Sequence, residues 1–277
     1  MKVIKRIFAC LLVLAIIFNS PSSVYAYERA GHDELMIDVM FKNFKEINND
    51  KTVQKEISAL ESACYLTIDQ FNESGQKDLD LLNTYGVKGL PKSINDIKIS
   101  AGPNTHRSYT HRGWDYNYVG DAAVKWPKRQ EILKRTVGTI FDFEGNNAKR
   151  DAFCELLYYV HILGDHIDDT SYKINNGLKI GVGGRTDQYD ITHELLDCIE
   201  IVFSEQKHTH KYRSLTSSIE RYNSRFSKIV RSEGGINTEE KFQQYNEYTK
   251  DFFKMLTLYI PEMLKDEPFF AEVFYSN

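Results

Sequence analysis

The sequence predicts an all-α fold, a single-domain helical bundle. Two observations carry this: apolar residues recur three and four apart along most of the chain, and steady period-two alternation is nearly absent. A third is that two stretches read as the loops between helices: 74–120, with most of the glycines and prolines before the middle of the chain, and 173–188, which contains "GVGG".

The helices follow in chain order. From about Gly31, residues Leu35, Met36, Val39, Met40 and Phe44 fall on one side of a first helix. Ile57, Leu60, Cys64 and Ile68 do the same in the next segment. Further helices are expected over 122–143, 148–166, 190–206, 213–231 and 238–264. The last of these reads as ordinary core packing. No internal repeat or low-complexity linker divides the chain.

Residues 1–26 stand apart. Lys2, Lys5 and Arg6 precede an apolar run from Ile7 to Phe18, and Val24-Tyr25-Ala26 suits a signal peptidase. The run is too short to span a bilayer comfortably, and Cys10 is badly placed for lipid attachment. The expectation is a secreted protein, cleaved after Ala26, with one domain over 27–277; an uncleaved amino-terminal anchor is the alternative. Cleavage of 26 residues from 277 leaves 251, enough for a substantial core, and takes the formal charge from −4 to −7. Such a balance argues against nucleic-acid binding by net charge, so phosphate must be attracted locally if at all. Cys64, Cys154 and Cys198 are widely spaced in apolar helical stretches and read as core residues, not a disulfide framework.

The chemistry concentrates in "YYVHILGDHIDDT", residues 158–170. His161 and Asp165 are four apart, so on a helix they point the same way, about 40° apart around the axis. Phe153, Leu157 and Val160 lie near that face, and a carboxylate buried there needs a partner or a cation. One such pair is most simply a structural hydrogen bond. The pattern repeats in "THELLDCIE", where His193 and Asp197 have the same spacing beside Leu196 and Ile201. Side by side, the two helices would face four donors into one gap. His32 falls on the apolar stripe of the first helix, and "HRSYTHRGWDYNY" adds His106 and His111 in an aromatic loop. Inward histidines on three helices with two matching carboxylates point to a multinuclear metal site, and His plus Asp ligation suits zinc above manganese or iron.

This ordered set resembles the superfamily of bacterial zinc-dependent phospholipase C and the fungal single-strand-specific zinc nucleases, secreted all-helical enzymes with three clustered zinc ions. The resemblance spans residues 27–197 and lies in the ordered set, not in any one member. In "YERAGH", His32 lies five residues beyond Tyr27, the spacing of the nuclease branch. It implies that Tyr27 supplies its amine and carbonyl where the family has Trp. Asp69 in "YLTIDQF" matches the next carboxylate, as ligand or base, and His111 in "THRGWD" the loop histidine, with His106 an alternative. His161 and Asp165 match the helical pair, Asp165 bridging two metals, and His193 and Asp197 match the last pair. The family places one further His after the helical pair; Ser171 stands near that position, with His166, Asp168 and Asp169 as replacement ligands.

What the resemblance implies is hydrolysis of a phosphoric ester by water activated between two or three zinc ions, without a Ser or Cys nucleophile. Phospholipase C-like cleavage of phospholipid is the leading expectation, with transient contact at a membrane surface and no obligate protein partner. A nuclease or 3'-nucleotidase acting on single-stranded nucleic acid or nucleotides is the first alternative. A catalytically reduced metal- or lipid-binding protein is another. Trp114, Tyr116 and Tyr118 would stack on a base or enclose a quaternary ammonium head group, or pack the loop. A His-Asp phosphohydrolase fits poorly, because Asp165-His166 has the order reversed. "GVGG" at 181–184 lacks phosphate-loop spacing, and His208 and His210 in "KHTHK" read as surface residues.

Overall fold

The structure is a computed structural model and describes Met40 and residues 51–68, 75–96, 126–160, 184–230 and 238–275. These residues are helical almost throughout, with no strand among them, as the period of the apolar residues requires. Met40 is helical and buried.

Helix α1 (Lys51–Ile68) buries Val53, Ile57, Leu60 and Cys64, and packs against both α2 (Gly75–Tyr85) and α3 (Trp126–Ile140). Helix α2 lies inside the stretch expected to be loop. Only Leu79 and Leu82 form its apolar stripe, and the buried Asp78 accepts a hydrogen bond from the Ser62 hydroxyl at 3.0 Å. Just past its end Gly86 takes φ +109°, a conformation that favours glycine, and its N–H closes on Leu82 O. A 3₁₀ turn follows at Ile94–Asp96. Helix α3 buries Ile132, Leu133, Thr136, Val137 and Ile140.

A tight turn at Glu144-Gly145, both at positive φ, leads into α4, helical over the described residues 147–160. Asn146 caps it, its side chain accepting from Lys149 N–H at 2.9 Å. From Ala152 to Val160 only Glu155 escapes full burial. A helix apolar on all sides belongs at the centre of a bundle. Contacts on three sides agree: Lys134 of α3 reaches Asp151, Cys198 of the next helix reaches Glu155, and Phe153 meets Phe269.

Helix α5 (Gly184–Val202) begins inside the second expected loop, six residues before the predicted start. Helices α6 (His210–Val230) and α7 (Glu239–Leu264) run antiparallel: Phe226 lies against Tyr245, Tyr222 against Phe252, and Lys211 beside Glu262. Thr238 caps α7 by accepting from Lys241 N–H. A last helix, α8 (Pro268–Tyr275), was not expected from the sequence. It buries Phe269, Phe270 and Phe274 against Phe141, Phe143 and Phe153. Below this cluster Lys149 donates to Glu267 at 2.5 Å, and Gln206 donates to Glu267 and to Met263 O, each at 2.8 Å. The buried apolar residues make one continuous cluster.

The three cysteines are buried, as their apolar surroundings suggested, and none forms a disulfide. His208 and His210 are exposed, also as expected, and α7 packs its apolar face into the core.

Candidate metal-ligating face

Of the residues that the sequence singles out, the structure describes His193 and Asp197. Tyr27, His32, Asp69, His106, His111, His161, Asp165, His166, Asp168 and Asp169 lie outside the described residues, as do Trp114, Tyr116 and Tyr118.

Helix α5 turns one face inward, made of Thr192, Leu195, Cys198, Ile199 and Val202. The positions between, His193 and Asp197, fall together on the opposite side, and both are exposed. Their common direction is the one that four-residue spacing demands. Their burial is not what the neighbouring apolar residues suggested: Ile201, read as a mark of an inward face, is itself 44% exposed, and Leu196 is only partly buried. The inward stripe runs one position away from the His–Asp pair and includes the polar Thr192. The pair is therefore presented outward on this helix, not folded into the core.

Two contacts hold the helix behind that face. On the α4 side the Cys198 thiol donates to Glu155 Oε2 at 3.7 Å, and on the α6 side the Thr192 hydroxyl donates to Asn223 Oδ1. Burial pushes the Cys198 thiol well above its ordinary value, and the nearby Glu155, Glu194 and Asp197 carboxylates add to the shift. Burial likewise raises the Tyr159 hydroxyl, with Glu194 the next cause. Cys198 thus remains a protonated, packed thiol at neutral pH, and the groups left outward on α5 are an imidazole and a carboxylate.

These two donors suit zinc by type and by shared direction, and they stand on a helix anchored from both flanks. They do not complete a site: among the described residues no three His, Cys, Asp or Glu side chains are grouped to hold a metal ion. A zinc site takes about four ligands, so these two donors alone would not hold the ion. No helix of the described residues is long and apolar enough to cross a membrane.

Sequence reasoning passed over a second feature, a groove of about 170 Å³ between α6 and α7, lined by Arg221, Arg225, Tyr248 and Met255 among others. The four-residue spacing of the two arginines on α6 was its only signal. Comparison with family models, with curated proteins and with solved structures gave no match.

Proposed function

We propose that the chain is a secreted zinc-dependent phosphoesterase of the phospholipase C/zinc nuclease type, cleaving phospholipid at the head-group phosphodiester. The observation that carries the reading is the repeated His–x₃–Asp pair, His161 with Asp165 and His193 with Asp197, in one ordered set with His32, Asp69 and His111. The shared direction of His193 and Asp197 on an anchored helix is compatible with it, although the pair faces outward and not into the core.

His193 and Asp197 would hold one ion together with a replacement ligand from His166, Asp168 or Asp169. Tyr27, His32, Asp69, His111, His161 and Asp165 would hold the others, Asp165 as the shared carboxylate. When bound, zinc supplies Lewis acidity and a water acidic enough to lose its proton near neutral pH. The chain's part is to fix donors on rigid helices, to accept the proton at Asp69 if that carboxylate is not a ligand, and to orient the head group against Trp114 and Tyr116.

The test is a substrate panel with zinc supplied to the chain beginning at Tyr27. Release of phosphocholine from lecithin, abolished together with zinc retention by Asp165→Asn, is the expected result. Release of nucleotides from single-stranded DNA instead would move the assignment to the nuclease branch. Zinc uptake with no turnover of any phosphodiester would leave a metal- or lipid-binding protein.

A further inference from the structure

We propose that the α6–α7 surface is a docking face for anionic phospholipid membranes, with Arg221 and Arg225 binding head-group phosphates. The inference deepens the phospholipase reading and rests on it for the choice of a lipid surface as occupant.

In a chain of net charge −4, helix α6 carries Lys211, Arg213, Arg221, Arg225 and Lys228 against the single acid Glu220. Its apolar residues Leu215, Ile219, Tyr222, Phe226 and Ile229 are buried, so the basic residues form its outer side. A basic amphipathic helix in an acidic protein marks a surface for anions. The cations are not equivalent. Lys211 lies 3.5 Å from Asp266, and Arg213 donates to the main-chain oxygens of His208 and Thr209. Arg221, Arg225 and Lys228 are exposed and have no carboxylate partner among the described residues.

The groove beside them has the second property that a lipid surface requires. Its floor is Tyr222 stacked on Phe252, ring centroids 4.1 Å apart. The Arg225 guanidinium lies 5.9 Å from the Tyr248 ring, so aromatic and cationic groups share one wall. Met255 lines the groove, and Leu258, 61% exposed, follows on α7. Leu258 lies seven residues beyond the groove-lining Asp251, nearly the same direction around the helix. Asp251 is the one acid among the described lining residues, and Lys254 stands 3.9 Å from it. Guanidinium groups that can fork onto phosphate oxygens, a tyrosine beside them and an exposed leucine further along α7 fit a head-group layer with acyl chains beneath.

The experiment uses the full secreted chain and vesicle sedimentation in EDTA, so that binding is read without turnover. Vesicles are phosphatidylcholine with or without phosphatidylserine. Two double variants remove equal charge from α6: Arg221→Gln with Arg225→Gln, and Lys211→Gln with Arg213→Gln. The expected result is binding that requires phosphatidylserine, falls roughly thirtyfold in the first double variant, and changes little in the second. Hydrolysis of a water-soluble phosphodiester stays at wild-type level in both. Equal losses in the two doubles, or none, would overturn the docking face. So would displacement by inorganic phosphate at constant ionic strength, which would indicate a site for a single free anion. Vesicle binding with the expected pattern but no hydrolysis with zinc supplied would sink the phosphodiesterase reading while leaving the docking face intact.

Discussion

The aromatic cluster at the start of α4 and the outer side of α5 treat their side chains in opposite ways. Around Phe141, Phe153 and Phe270 each ring is fully or nearly fully buried against others, and beneath them Lys149, Gln206 and Glu267 bond one another away from water. On α5, His193, Asp197 and Ile201 point outward, while the helix is held from behind. The first region sets stability and leaves no group available for chemistry. The second contributes little to stability and leaves an imidazole and a carboxylate aligned.

Substitutions should separate the two. Phe270→Ala, in the fully buried cluster, is expected to lower unfolding stability by about 3–5 kcal/mol in urea denaturation. Glu267→Ala should be comparable, about 3–5 kcal/mol, because it strands the largely buried Lys149 ammonium and the Gln206 amide together. If either costs under about 1 kcal/mol, the cluster is not the stabilising region.

A smaller effect is expected at Gly89. It takes φ +75°, and an added Cβ would lie 2.0 Å from Arg135 Nη1, which donates to Lys88 O. The guanidinium is the far end of a flexible side chain and can move aside. Gly89→Ala should therefore cost about 1–2 kcal/mol, from backbone strain and the lost hydrogen bond.

The buried thiols give a pH dependence with a defined sign. Burial raises Cys154 and Cys198 above their ordinary value of 9.0, and Tyr159 and Tyr222 above 10.0. Below about pH 8 these groups are protonated in folded and unfolded chains alike, and their contribution is intact. As pH rises further, the unfolded chain releases protons that the folded chain retains, so stability falls. The urea midpoint should drop between about pH 8 and about pH 10, and less so in Cys154→Ala compared with its own midpoint at about pH 8. A midpoint flat across that range would contradict the burial of these groups.

The smallest stability effect should be at α5 itself. His193→Ala and Asp197→Ala are expected to shift metal-free stability by no more than about 0.5 kcal/mol.

Helical periodicity made the fold class and most elements legible, because long stripes such as those of α6 and α7 cannot be confused with strands. Two helices escaped for identifiable reasons. Helix α2 offers only Leu79 and Leu82 as a stripe, between Gly75 and Gly86, so its glycines looked like loop. Helix α8 is eight residues long and begins at Pro268, which suits a first helical position but reads as a break. The direction of His193 and Asp197 was misread because Ile201 looked like core, whereas the inward face includes the polar Thr192. Their mutual alignment was legible, since four-residue spacing fixes it whatever the helix packs against. The α6–α7 groove was not, because it depends on which residues of two separate helices come to lie at one level.

The most direct test is the zinc content of the chain beginning at Tyr27, by elemental mass spectrometry, beside His193→Ala and Asp197→Ala. The account predicts about two or three zinc ions per wild-type chain, and about one fewer in each variant with the fold unchanged. No zinc in the folded wild type, with the metal supplied, would make His193 and Asp197 ordinary surface residues and would contradict the proposed function.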